Sequence, residues 1–109
     1  MKIDFDSMPV TVIPHMKGGE KEVSAAMYVD EAGKIMRGTL IPGATIGLHT
    51  HETGSEVIYI LSGTGKVLYE GAFEPLHAGS CHYCPKGKSH SLINDSEEDL
   101  CFLAVVSEH

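Results

Sequence analysis

The chain has 109 residues, which is room for one domain and no second lobe. Its 42% hydrophobic and 21% charged residues belong to an ordinary globular chain, not to a disordered tail. Fifteen acidic residues against eight basic ones give a net charge of −7 with no block of Lys and Arg, which argues against nucleic acid, an anionic membrane surface or a phosphate clamp as partner. No apolar run approaches the ~20 residues of a membrane helix. The start, MKIDFDSMP, lacks the apolar stretch of a secretory signal, so a cytoplasmic location is expected. Three Cys, an odd number, argue against a disulfide framework.

In chain order, short β-branched and apolar runs predict strands at Val10–Ile13, Val23–Val29, Lys34–Ile41, Thr45–Leu48, Glu56–Leu61, Lys66–Glu70, Phe73–His77, Cys81–Cys84, Ser89–Ile93 and Leu100–Ser107. Between them stand turn signals, among them Asp30-Glu31-Ala32-Gly33, Pro42-Gly43, Gly63-Thr64-Gly65, Ala78-Gly79, Pro85-Lys86-Gly87 and Asn94-Asp95. Glu20–Tyr28, with its Ala pair and charges, is the one helical competitor; strand is preferred there. Many short strands at even spacing indicate an all-β sandwich or barrel.

The chemistry gathers in HTHETGSE, His49 to Glu56. On an extended chain, residues two apart share a face, so His49 and His51 aim both imidazoles at one point. By the same alternation Glu56, Ile58 and Ile60 share one face, and Val57, Tyr59 and Leu61 the other. A carboxylate on an apolar inner face is costly to bury unless a cation compensates it. A third imidazole is available in PKGKSHSLIN, where His90, Leu92 and Asn94 lie on one face of the strand after the Pro85–Gly87 turn.

These two segments resemble the two motifs of the cupin superfamily. The first, G-x5-H-x-H-x3-4-E-x6-G, is filled by Gly43, His49, His51, Glu56 and Gly63. The second, G-x5-P-x-G-x2-H-x3-N, is filled by Gly79, Pro85, Gly87, His90 and Asn94. The 15 residues from Thr64 to Ala78 separate them, close to the shortest spacing of small bacterial cupins.

The resemblance implies a double-stranded β-helix, a jelly-roll barrel, over residues 1–109, with residues 1–22 as an N-terminal arm. It implies one divalent metal per chain (Mn, Fe, Ni or Zn) held by His49, His51, Glu56 and His90. It also implies a homodimer, with Val10–Ile13 suited to an exchanged strand. Three imidazoles and a carboxylate leave two positions open in an octahedral shell, where a small-molecule ligand can bind. The expected function is that of an enzyme acting on a small oxygen-rich molecule, a carboxylate or enolate, of dioxygenase or decarboxylase/lyase type. The alternative is a metal-dependent binding or sensing module without turnover.

Other residues carry weaker signals. Cys81 and Cys84 are three apart on a predicted strand, so either Cys81 with Tyr83 or His82 with Cys84 looks inward, and structural burial is the preferred role. His15, His77 and His109 are expected at the surface, although His15 precedes Lys17-Gly18-Gly19 and can reach the barrel mouth from there. His15, His82 and Tyr83 are the candidates for a proton-transfer group. Ile58, Ile60 and Leu92 are expected to wall the site. Arg37, the only Arg, is a carboxylate partner if inward, but exposure is the usual fate of a lone Arg.

Overall fold

A computed structural model describes residues 1–109 as ten antiparallel strands in two sheets. The strands are β1 (Thr11–Pro14), β2 (Glu22–Asp30), β3 (Gly33–Leu40), β4 (His49–Thr50), β5 (Gly54–Ser62), β6 (Thr64–Tyr69), β7 (Ala72–His77), β8 (Cys81–Cys84), β9 (Ser89–Ile93) and β10 (Leu100–Glu108). One sheet runs β1-β2-β3-β10-β5-β8 and the other β4-β9-β6-β7. This is the expected double-stranded β-helix, and Glu22–Asp30 is strand, not helix.

Alternation builds the core. Met36 and Leu40 of β3, Ile58 and Ile60 of β5, and Phe102 and Ala104 of β10 point inward against Val67, Leu76 and Leu92 of the smaller sheet, all buried. Phe102 pairs with Gly38 across β10 and β3, and a Cβ at Gly38 would sit 2.6 Å from the Phe102 ring. Gly38 is therefore the space that lets the largest core side chain lie flat on the sheet.

The predicted strand Thr45–Leu48 is not one. Only an isolated Thr45–Ile93 bridge forms, and the short strand comes later, at His49–Thr50. The reason is a divided set of hydrogen bonds. On one side Ile46 N donates to Leu92 O (2.9 Å) and Ser91 Oγ donates to Ile46 O (2.6 Å). On the other, Thr45 N donates to Glu20 O and Gly47 N to Met16 O, each at 3.0 Å. A Cβ on Gly19 or Gly47 would meet the opposing backbone at 2.1 Å, so two glycines let the 15–20 loop lie on the 45–47 segment.

Candidate metal centre

Each histidine of the predicted set has its own support. His49 pairs in register with His90 across β4 and β9. Its Nδ1 lies 2.7 Å from Gly47 O, which can only accept, so Nδ1 carries the hydrogen and Nε2 keeps a free lone pair. Burial lowers the pKa of this ring. His51 follows β4, and its backbone is laced to the 85–88 turn, its N–H donating to Lys88 O and its carbonyl accepting from Gly87 N. His90 is 1% exposed and Glu56, from the other sheet, 7%.

The structure brings these four together. His51 Nε2 lies 2.9 Å from Glu56 Oε1, His90 Nε2 lies 2.8 Å from the same oxygen, and the two Nε2 atoms are 2.9 Å apart. The three rings ring a common point with centroids 4.8–4.9 Å apart. Burial pushes the Glu56 carboxyl up, but the His51 and His90 rings that face it outweigh burial and bring the pKa down to about 2. The group is an anion at any working pH.

The spacing suits a cation. Donors about 2.0–2.2 Å from one ion and at right angles to each other sit roughly 3 Å apart. The three short separations match that edge, and one donor atom from each of the four residues lies within 4.8 Å of all the others. The chemistry agrees, since neutral imidazoles with one carboxylate can hold Mn, Fe, Ni or Zn.

The cluster floors a cavity of about 300 Å3 walled by Met36, Ile46, Ile58, Leu92 and Val106. Ile58 and Leu92 stand where alternation predicts. Ile60 is fully buried deeper in the core and does not line the cavity. Lys17 and Lys34 stand at the rim with Asp30, Glu52 and Glu108. Neither lysine emerged from the sequence reading. Lys34 is in phase with Met36, and parity alone would have placed it. Lys17 is placed by the staple between the 15–20 loop and Gly47, which has no local signature.

Arg37 faces out, as preferred for a lone Arg, and so is no partner for a carboxylate inside the barrel. It is in register with Leu103 on the outer face, its Nη1 lies 2.8 Å from Asp6 Oδ1, and its guanidinium stacks over the Phe5 ring at 5.5 Å. His15 is exposed, its Nδ1 donating to Gly19 O at 3.0 Å, and Met16 and Lys17 line the cavity in its place. His77 and His109 are exposed as expected.

The parity of β8 is resolved. His82 and Cys84 point inward, and Cys81 and Tyr83 point to solvent, so burial holds for one of the two cysteines. Burial pushes the Cys84 thiol up to about 11, helped by the negative charges of Glu56 and Glu70, and Sγ donates to Lys88 O at 3.5 Å. Tyr83 is thereby removed as a proton-transfer candidate at this site. Asn94, a motif residue, is structural: its amide donates to Leu40 O and Glu98 O and accepts from Ser96 N and Oγ.

Known proteins show the same arrangement of chain. The profile described as "Cupin domain" matches residues 36–106. The oxalate-binding protein of Thermotoga maritima is 38% identical over 100 residues, covering 86% of this chain and 83% of that protein. A crystal structure of a predicted oxalate decarboxylase from Thermotoga maritima superposes with a TM-score of 0.94 at 33% identity, covering all of both chains. An RmlC-like cupin from Shewanella frigidimarina NCIMB 400 superposes with a TM-score of 0.81 at 16% identity, over 98% of this chain and 89% of that one, a likeness of fold alone.

Proposed function

The chain belongs to the cupin domain family, and we propose that it uses His49, His51, Glu56 and His90 to hold one divalent metal that receives a small dicarboxylate of the oxalate class. The observation that carries this reading is the convergence of the four donors on a cavity beside the apolar side chains of Met36, Ile46, Ile58 and Leu92. The charges decide what fits there. Two lysines against three acidic side chains make the rim no attraction for an anion. A divalent ion beside one carboxylate and three neutral imidazoles leaves the floor with one positive charge, so anion binding depends on the ion. The ion would supply a positive centre with open positions at which a carboxylate can coordinate. That the Thermotoga maritima relative at 38% identity is an oxalate-binding protein supports the same ligand class.

Turnover is the second reading, of decarboxylase/lyase type, and the relative described as a predicted oxalate decarboxylase favours it over a dioxygenase. The test begins with metal analysis of purified protein. About one ion per chain is expected, and His51→Ala should lose it. Calorimetry with oxalate should show binding by the Mn-loaded protein and none after EDTA. Oxalate recovered intact identifies a binding module, whereas carbon dioxide and formate identify a decarboxylase. Oxalate binding that survives complete metal removal overturns the reading.

We also propose a homodimer in which the outer face of the larger sheet is covered. Val57, Tyr59 and Leu61 of β5 align there with Tyr83, Leu103 and Val105 of the flanking strands, an apolar surface where an antiparallel sheet usually faces water with polar residues. In the single chain β1 pairs with β2, and in a dimer that strand is the one to be exchanged. Light scattering should give twice the chain mass, reverting to one in Tyr59→Glu; a monomeric wild type refutes the proposal.

A further inference from the structure

The imidazoles of the centre are oriented by different neighbours. Behind His49 stands a carbonyl, but behind His90 stands another imidazole, with His82 Nε2 at 3.0 Å from His90 Nδ1. His82 is 4% exposed, its ring lies edge-on to Tyr69 at 5.4 Å, and its Nδ1 faces Glu74 Oε1 at 3.3 Å. The row Glu74–His82–His90 thus joins β7 at the edge of one sheet to β8 at the edge of the other and ends on β9 at the centre.

Between two neutral rings in such contact lies one proton, and it has two places. If His82 Nε2 holds it, His90 Nδ1 accepts, and His90 must carry its hydrogen on Nε2, where it blocks a cation. In that arrangement His82 Nδ1 is bare and turns a lone pair toward the Glu74 carboxylate, which repels it. If His90 Nδ1 holds the proton, His90 Nε2 is free, and His82 carries its own hydrogen on Nδ1, aimed at a carboxylate that accepts it. The opposing pull comes from Glu56, whose oxygen would take a hydrogen from His90 Nε2. His51 meets that demand. Its Nε2 lies 2.9 Å from both Glu56 Oε1 and His90 Nε2, and two ring nitrogens that close cannot both point hydrogens at each other.

We propose that Glu74 and His82 are positioning residues that fix His90 in the tautomer with its Nε2 lone pair free for the metal. The inference rests on the metal reading above and adds to it two residues outside the four donors. Cys84 completes a His82–Cys84–His90 cluster with donors within 4.8 Å. Its thiol is spent on Lys88 O, and the two rings spend their facing nitrogens on each other, so this cluster supports the centre and is not a second ion site.

The test compares wild type, Glu74→Gln, His82→Gln and His82→Leu as full chains, with two readouts. One is the Mn2+ dissociation constant after EDTA treatment. The other is the 15N shifts of the His90 ring in metal-free protein, which report the tautomer without any ion. In wild type Nε2 should be the unprotonated nitrogen. His82→Leu should weaken Mn2+ binding about 10–100-fold. His82→Gln, whose amide oxygen can accept from Nδ1–H, should recover most of that loss. Glu74→Gln, whose amide can donate to His82 Nδ1, should shift His90 toward the Nε2-protonated form and weaken Mn2+ binding by a smaller factor. Glu74 is half-exposed on an edge strand, so this variant carries the test if His82→Leu fails to fold. Mn2+ affinities within about twofold across the folded variants overturn the inference, as does a wild-type His90 protonated at Nε2. Failure of wild type to take up Mn2+, Co2+ or Zn2+ overturns the metal reading instead, and the 15N shifts still decide the tautomer.

Discussion

The two ends of the barrel interior are built by the same strands and do opposite work. Along β5 the inward positions run from Glu56 through Ile58 to Ile60, and along β9 from His90 through Leu92, with Asn94 just past the strand's end. One end is therefore a cluster of imidazoles and a carboxylate open to a cavity. The other is dry, filled by Phe102, Leu40, Ile60 and Leu100 and closed by the four side-chain hydrogen bonds of Asn94. Burying the dry end stabilises the fold by hydrophobic transfer, at roughly 1.5–3 kcal/mol per large apolar side chain. Burying the polar end opposes folding unless its partners, or an ion, compensate it. The difference teaches that strength and chemistry are separated along the strand by a few residues, and that each end can be perturbed alone.

The largest expected effect is at the dry end. Phe102 is fully buried, and Phe102→Ala removes a ring whose bed is made by Gly38. The loss should be about 3–5 kcal/mol in urea unfolding, a large part of a marginal stability. In the fraction that stays folded, the Mn2+ dissociation constant should match wild type. A stability loss accompanied by an equal loss of metal affinity would mean that the two ends are not separable.

The next effect belongs to the polar end and to acid. In metal-free protein, burial lowers the pKa of His49 and of His82, so the unfolded chain binds protons there that the folded chain refuses. Stability should begin to fall as pH drops below their ordinary 6.5. Glu56 adds a second limb with the same sign. Its folded pKa of about 2 lies below the ordinary 4.5, so its contribution is complete above 4.5 and is lost as pH falls toward 2. The size is on the order of 3 kcal/mol, since each pH unit between the two values is worth about 1.4 kcal/mol. Urea midpoints across pH 2–7 measure both limbs. Glu56→Gln should remove the lower one, and a lower limb that persists would assign it to carboxylates elsewhere.

Most of this contrast was legible in the sequence, for a physical reason. Regular strands obey a period of two, so Glu56, Ile58, His90 and Leu92 announce their face by position alone. What stayed hidden depends on contacts without a period. The 45–48 segment fails as a strand because its backbone serves β9 and the 15–20 loop together. That loop bends through left-handed φ at His15, Lys17 and Lys21 as well as at Gly18, so the Gly18-Gly19 pair marks a loop there but not the path that carries Lys17 to the rim. The His82–His90 contact requires the register of β8 on β5 and the closeness of the two sheets, which alternation does not encode.

The smallest effect tests parity itself, on one strand that passes between the cavity and the outside. Lys34 and Arg37 are three apart on β3, so one lines the cavity and the other faces out. Lys34→Gln should weaken oxalate binding by the Mn-loaded protein a few-fold, most clearly at low salt, because a rim charge is screened over about 10 Å at 0.1 M. Arg37→Gln should leave that binding unchanged. Its ion pair with Asp6 is exposed on both sides, and such pairs are worth about 0–1 kcal/mol, so stability should fall by no more than that, and less in salt. A loss of oxalate affinity in Arg37→Gln that exceeds the loss in Lys34→Gln would reverse the assigned faces of β3, and with them the separation of rim from outer surface.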